Sequence, residues 1–79
     1  MLEKLLQICR EINPAIPDDP EIKLIDEGYV DSFGAFTILT SIELDFGIKI
    51  PDSEIKYENL KSINSMIVLI NRLSLGDAK

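Results

Sequence analysis

The sequence predicts an all-α domain of three main helices, one short helix and a long first loop. Three observations carry this. Apolar residues recur at three- and four-residue spacing in three separate segments, as amphipathic helices require. Leu and Ile dominate the apolar content, while aromatics are few: three Phe, two Tyr and no Trp in 79 residues. That composition suits helices packed on helices. No alternating apolar and polar run competes as a strand.

The first helix spans about residues 2–12. Leu2, Leu5, Leu6, Cys9 and Ile12 form its apolar stripe, with Glu3, Lys4, Gln7, Arg10 and Glu11 opposite. Asn13-Pro14 ends it. Residues 13–31 contain Pro14, Pro17, Pro20 and Gly28, so they cannot form one continuous helix. Ile16, Ile22, Leu24, Ile25, Tyr29 and Val30 are expected to pin this loop to the core. Its acids lack the ligand order of a calcium loop around a central Gly. A second helix covers residues 32–46, with Phe33, Ala35, Phe36, Ile38, Leu39, Ile42 and Phe46 as a broad apolar face. Asp31 or Ser32 can cap it, and Gly47 can close it. Pro51 leads into a short helix at about residues 52–57. Ser62 caps a last helix over 63–73, whose stripe is Ile63, Met66, Ile67, Ile70 and Leu73. One domain, 1–79, is expected, ordered over about 2–73 with a frayed tail at 74–79.

Composition narrows the function. Eight Lys+Arg against 14 Asp+Glu give a net charge of −6. Nucleic-acid binding needs a basic footprint, which is missing. The acids lie in the first three quarters of the chain, and such a field steers toward basic partners. There is no His, which removes the commonest general base and metal ligand. The single Cys, Cys9, allows no internal disulfide and no thiolate cage. It sits on an apolar stripe and reads as a buried structural thiol in a reducing cytosol. The longest apolar run, residues 66–70, is far too short to span a membrane. A catalytic site and a metal site are both unexpected, and the chain reads as a cytoplasmic monomer.

One segment stands out: Gly28-Tyr29-Val30-Asp31-Ser32-Phe33-Gly34. It sets a Ser between the acidic loop and a helix start. Ser32 can be a helix cap and nothing more. It can also present a hydroxyl whose phosphate ester would face free backbone N–H groups and the positive end of the helix dipole. Gly34 would leave room beside it for an approaching molecule.

The chain resembles the acyl carrier proteins and their relatives, the peptidyl and D-alanyl carrier proteins. The likeness rests on Leu24-Ile25-Asp26-Glu27-Gly28-Tyr29-Val30-Asp31-Ser32-Phe33. It continues through Ile42-Glu43-Leu44-Asp45-Phe46-Gly47-Ile48-Lys49-Ile50-Pro51-Asp52 and Glu58-Asn59-Leu60-Lys61-Ser62-Ile63. It covers about residues 2–73, and the ordered set at this spacing is specific. The family fold is a four-helix bundle with a long first loop. The resemblance implies that Ser32 carries 4′-phosphopantetheine, attached from coenzyme A by a phosphopantetheinyl transferase. The arm's thiol would hold an acyl or aminoacyl group as a thioester, so the reactive sulfur is the cofactor's.

Asp31 and Phe33 would flank the attachment site for recognition. Phe33, Thr37, Thr40, Glu43 and Leu44 would be read by partners: the transferase, an acyl- or aminoacyl-activating ligase, and an acyltransferase or ketosynthase. Fatty-acid carriers usually place Leu and then an acid after the Ser, and their second helix is acidic. This chain has Phe33 and Gly34, a neutral Thr37, and a longer segment from residue 51 to 62. In these respects it looks more like D-alanyl carriers and freestanding carriers of specialised biosynthetic clusters. The competing reading is a small acidic helical adaptor in which Ser32 only caps a helix.

Overall fold

In a computed structural model, which describes residues 1–77, the chain forms four α-helices: α1 (Leu2–Ile12), α2 (Ser32–Phe46), α3 (Tyr57–Leu60) and α4 (Ile63–Asp77). No strand occurs among the described residues. Helix α1 packs on both α2 and α4, and α3 packs on α4. The shared core includes Leu5, Cys9, Ile38, Ile42, Met66 and Ile70, all essentially inaccessible to solvent. This is the expected all-α bundle.

The two long outer boundaries of α2 fall where the sequence puts them. Gly47 closes the helix in the left-handed conformation (φ 66°) and donates its N–H to the Glu43 carbonyl. Such a φ is open to Gly and strained for most other residues. The start of α4 is also as expected. Ser62 Oγ accepts from the Ser65 N–H while Ser65 Oγ accepts from the Ser62 N–H, so each satisfies a donor of the other.

Four expectations need correction. The short helix lies at Tyr57–Leu60, and Asp52–Glu54 is a separate 3₁₀ turn. The Asn59 side chain donates to the Glu54 carbonyl, and Lys56 is extended, so the turn cannot run on into the helix. On α1, Ile8 is buried while Leu2 and Ile12 are exposed. Packing against two helices widens the buried arc in the middle of α1 and leaves its ends at the rim. On α2, Phe36 is not core but more than half exposed, beside the buried Ala35 and Leu39. The last helix buries Leu69 as well, and it continues to Asp77. The tail expected at 74–79 is therefore helical through Asp77, and 78–79 lie outside the described residues.

The long loop is fixed as its apolar residues suggest. Ile16, Leu24 and Val30 are buried, and Ile22, Ile25 and Tyr29 pack against the core. Backbone bonds tie it to distant chain: Leu24 N–H to Lys61 O at 2.8 Å and Asn64 N–H to Pro20 O at 3.0 Å. The Asn13 side chain donates to Tyr29 O at 3.0 Å, joining the end of α1 to the start of α2. These bonds deliver residues 30–32 to a fixed place.

Candidate functional site

The start of α2 divides two duties between adjacent residues. Asp31 is the N-cap, with extended backbone, and its Oδ1 accepts from Gly34 N–H at 2.7 Å. A carboxylate at that position also complements the helix dipole. Ser32 is the first helical residue and is exposed. Its hydroxyl takes part in none of the side-chain hydrogen bonds among the described residues. Of the two candidate caps, Asp31 is the one used, and the Ser32 oxygen is left free.

Gly34 serves the core and not the approach of an outside molecule, contrary to expectation. It is buried. A Cβ there would sit 3.1 Å from Val30 Cγ1 and 3.3 Å from both Asp31 Oδ1 and Ile12 Cγ2. The absent side chain lets the end of α1 and the end of the loop close against the first turn of α2.

Ser32 borders a cleft of about 290 Å³ between α2 and the chain around α3. Ala35 and Phe36 line one side, Ile25 the loop side, and Ile55, Lys56, Tyr57 and Leu60 the far side. A second hollow of about 210 Å³ adjoins it along α2, with Phe36 and Ile55 common to both. Lys56 is the only cation lining the cleft beside Ser32 among the described residues. Tyr57 Oη donates to Asp26 Oδ2, which ties α3 to the loop and raises the phenol pKa, chiefly through that bond. At the other end of this wall, Arg72 donates to Glu54 Oε2 at 2.7 Å and holds that carboxyl below the usual range. Cys9 lies away in the core, where burial pushes its thiol up to about 11, so it is an inert packing group.

Of the other predicted site residues, Phe33 and Leu44 are each 79% exposed. The Thr37 and Thr40 hydroxyls donate back to the Phe33 and Phe36 carbonyls of their own helix. Glu43 is not a free surface acid, because its Oε2 accepts from Ile50 N–H at 2.7 Å and holds the chain after Gly47. Sequence reasoning missed Phe36 as a surface group, and it missed Ile55, Lys56 and Tyr57 as a wall facing Ser32. No spacing signals them, since the cleft joins α2 to residues about twenty positions or more further along the chain.

This arrangement suits a covalent anchor. The hydroxyl is accessible, unspent and one residue from a helix cap, and a partly apolar cleft runs beside it. The family described as "Phosphopantetheine attachment site" matches residues 3–70. The chain is 32% identical over 73 residues to the D-alanyl carrier protein of Bacillus velezensis, covering 92% of this chain and 91% of that one. It is 30% identical over 74 residues to the D-alanyl carrier protein of Bacillus subtilis, with 94% and 88% covered. It is 32% identical over 72 residues to the acyl carrier protein of Renibacterium salmoninarum, with 89% and 86% covered. No solved structure matches it.

Proposed function

Given that the chain belongs to the phosphopantetheine attachment-site family, we propose that Ser32 is its attachment residue. The protein is an acyl or D-alanyl carrier with covalent 4′-phosphopantetheine as its cofactor. When attached, the arm supplies a terminal thiol that holds the cargo as a thioester. Ser32 Oγ forms the new bond to the pantetheine-side phosphorus of coenzyme A. The pyrophosphate P–O bond breaks, adenosine 3′,5′-bisphosphate leaves, and the transferase takes the hydroxyl proton. Asp31 holds the first turn so that this oxygen stays in place, and Lys56 offers the nearest cleft cation to the phosphodiester. The carrier itself presents cargo, and tethering raises its concentration at a docked enzyme.

One observation supports Ser32 above all: Asp31 does the capping, so the Ser32 hydroxyl has no structural task. The same observation counts against an adaptor in which Ser32 is only a cap. The relatives favour D-alanine or a similarly small aminoacyl group as cargo, loaded by an activating ligase and passed to an acyltransferase. A ketosynthase is the corresponding partner if the cargo is an acyl chain. No helix among the described residues is long and apolar enough to cross a membrane. We assign the carrier to the cytoplasm, where coenzyme A and the ligase's ATP are found, and to a single 1–79 domain. Its small size and net charge of −6 support a monomer. Intact-protein mass spectrometry after incubation with coenzyme A and a broad-specificity phosphopantetheinyl transferase tests the assignment. One phosphopantetheine mass should appear, and Ser32→Ala should abolish it. No gain, or a gain that survives the substitution, overturns it.

A further inference from the structure

The stretch that leads into α2 is held from outside by a single side chain of α1. Residues 29–31 follow Gly28, whose left-handed backbone (φ 81°) turns the loop toward Ser32. Gly adopts that conformation freely but does not stiffen it. The Val30 N–H bonds back within the loop, to Leu24 O at 3.0 Å. Asp31 bonds forward, accepting from the Gly34 and Ala35 N–H groups. Among the described residues, one hydrogen bond ties residues 29–31 to the rest of the bundle: Asn13 Nδ2 donates to Tyr29 O at 3.0 Å.

Asn13 is itself firmly placed. It is the C-cap of α1, and its N–H donates to Cys9 O at 3.0 Å. Its carbonyl accepts from Ile16 N–H at 3.2 Å, and its Oδ1 accepts from Ala15 N–H at 3.0 Å. Both ends of the side-chain amide are engaged, so the group forms a strut between α1 and Tyr29. Two neighbours support it. Arg10 Nε donates to Ile16 O at 2.9 Å and holds the first part of the loop to α1. Ile12 meets the first turn of α2 at Gly34, with its Cγ2 3.3 Å from where a Cβ would stand. The apolar contact at Gly34 sets a distance of approach. The Asn13 bond adds direction, since a hydrogen bond weakens steeply when bent.

Ser32 stands three residues beyond Tyr29, so a shift of the Tyr29 carbonyl passes along the backbone to the Ser32 oxygen. In a group transfer, a misplacement of about 1 Å can cost about 10²-fold. We infer that Asn13 is a positioning residue for phosphopantetheine transfer. Through Tyr29 O it sets where Ser32 Oγ stands when the transferase presents coenzyme A. This role presupposes Ser32 as the attachment residue. Because Asn13 acts on geometry at Ser32, its loss should appear in kcat, with KM for the carrier little changed.

The test follows transfer from coenzyme A by intact mass over time, with the same broad-specificity transferase, to obtain kcat and KM separately. Asn13→Asp keeps an oxygen for Ala15 N–H but has no donor for Tyr29 O. It should lower kcat about tenfold or more, and Asn13→Ala at least as much, with KM within about twofold of the parent. If Asn13→Ala does not fold, Asn13→Asp decides alone. Gly47→Ala is the stability control, because it strains the left-handed backbone at the opposite end of α2. Its kcat should stay within about twofold of the parent. Hydrogen exchange on the unmodified protein gives a second reading. The Gly34 N–H should exchange about fivefold faster or more in Asn13→Asp, while the Ser65 N–H at the start of α4 keeps its rate. An Asn13→Asp kcat within about twofold of the parent, a change in KM alone, an equal fall in Gly47→Ala or an unchanged Gly34 exchange rate overturns the inference while Ser32 remains the site. No mass gain in the parent protein removes the attachment assignment and this inference together.

Discussion

Exchanging the two residues at the start of α2 for Ala, one at a time, should give opposite results for stability and for modification. In Asp31→Ala the bond from Gly34 N–H at 2.7 Å is lost. Cap removal of this kind costs about 0.5–2 kcal/mol. The upper part of that range applies, because Gly34 is buried and no acid stands in the first turn to take over. A domain this small holds only about 3–5 kcal/mol in total. The variant should therefore lose about a third to two thirds of its stability and melt about 4–8 °C lower per kcal/mol. Ser32→Ala removes no hydrogen bond, and Ala is the better helix former by up to about 0.5 kcal/mol. Its stability should match the parent or slightly exceed it, while its phosphopantetheine mass gain vanishes. Urea titration followed by helical circular dichroism measures both. A Ser32→Ala loss as large as that of Asp31→Ala would refute the division of duties. Asp31→Asn, which keeps a capping oxygen, should fall between the parent and Asp31→Ala.

Gly34→Ala should destabilise despite its helix propensity. The new methyl meets Val30 Cγ1 at 3.1 Å and Ile12 Cγ2 at 3.3 Å. Overpacking costs about 1–3 kcal/mol, against a propensity gain of at most about 1 kcal/mol. A rise in its thermal midpoint would contradict this. For Cys9 the thiol pKa is about 11 when folded against 9.0 otherwise. The folded chain keeps its proton longer, so this contribution is complete below pH 9.0 and is lost as pH rises through about 11. Urea midpoints across that window should decline less steeply in Cys9→Ala than in the parent, even though the variant starts lower. Equal slopes would clear the thiol of any part in alkaline unfolding.

Local signals made most of the fold legible. The 3.6-residue periodicity, Asn13-Pro14, Gly47 and Ser62 mark helix ends through backbone chemistry that acts within a few residues. The capping pair was legible only as a choice, since Asp31 and Ser32 are both good N-cap types. Which oxygen turns toward Gly34 depends on the approach of the loop. Phe36 was misplaced because apolarity does not say which of two adjacent positions faces a neighbouring helix. The resemblance implies Glu43 as a partner contact, and its tie to the Ile50 amide is not legible in sequence because that amide reaches it only after the chain turns at Gly47. The wall of Ile55, Lys56 and Tyr57 is a product of tertiary contact, and no spacing encodes it.

The bonds from Leu24 to Lys61 and from Asn64 to Pro20 bear on the order in which the molecule is made. Most hydrogen bonds in a helical protein close within a turn, but these two join residues about half the chain's length apart. Closing so wide a loop is an entropic cost met before the contacts reward it. During synthesis, Ser32 and its cap can form with α2 while the loop still lacks its two distant partners. The far wall of the cleft does not yet exist at that stage. Ser32 can thus be exposed on the ribosome well before its cleft is complete, and the finished site dates from the emergence of residues 55–64.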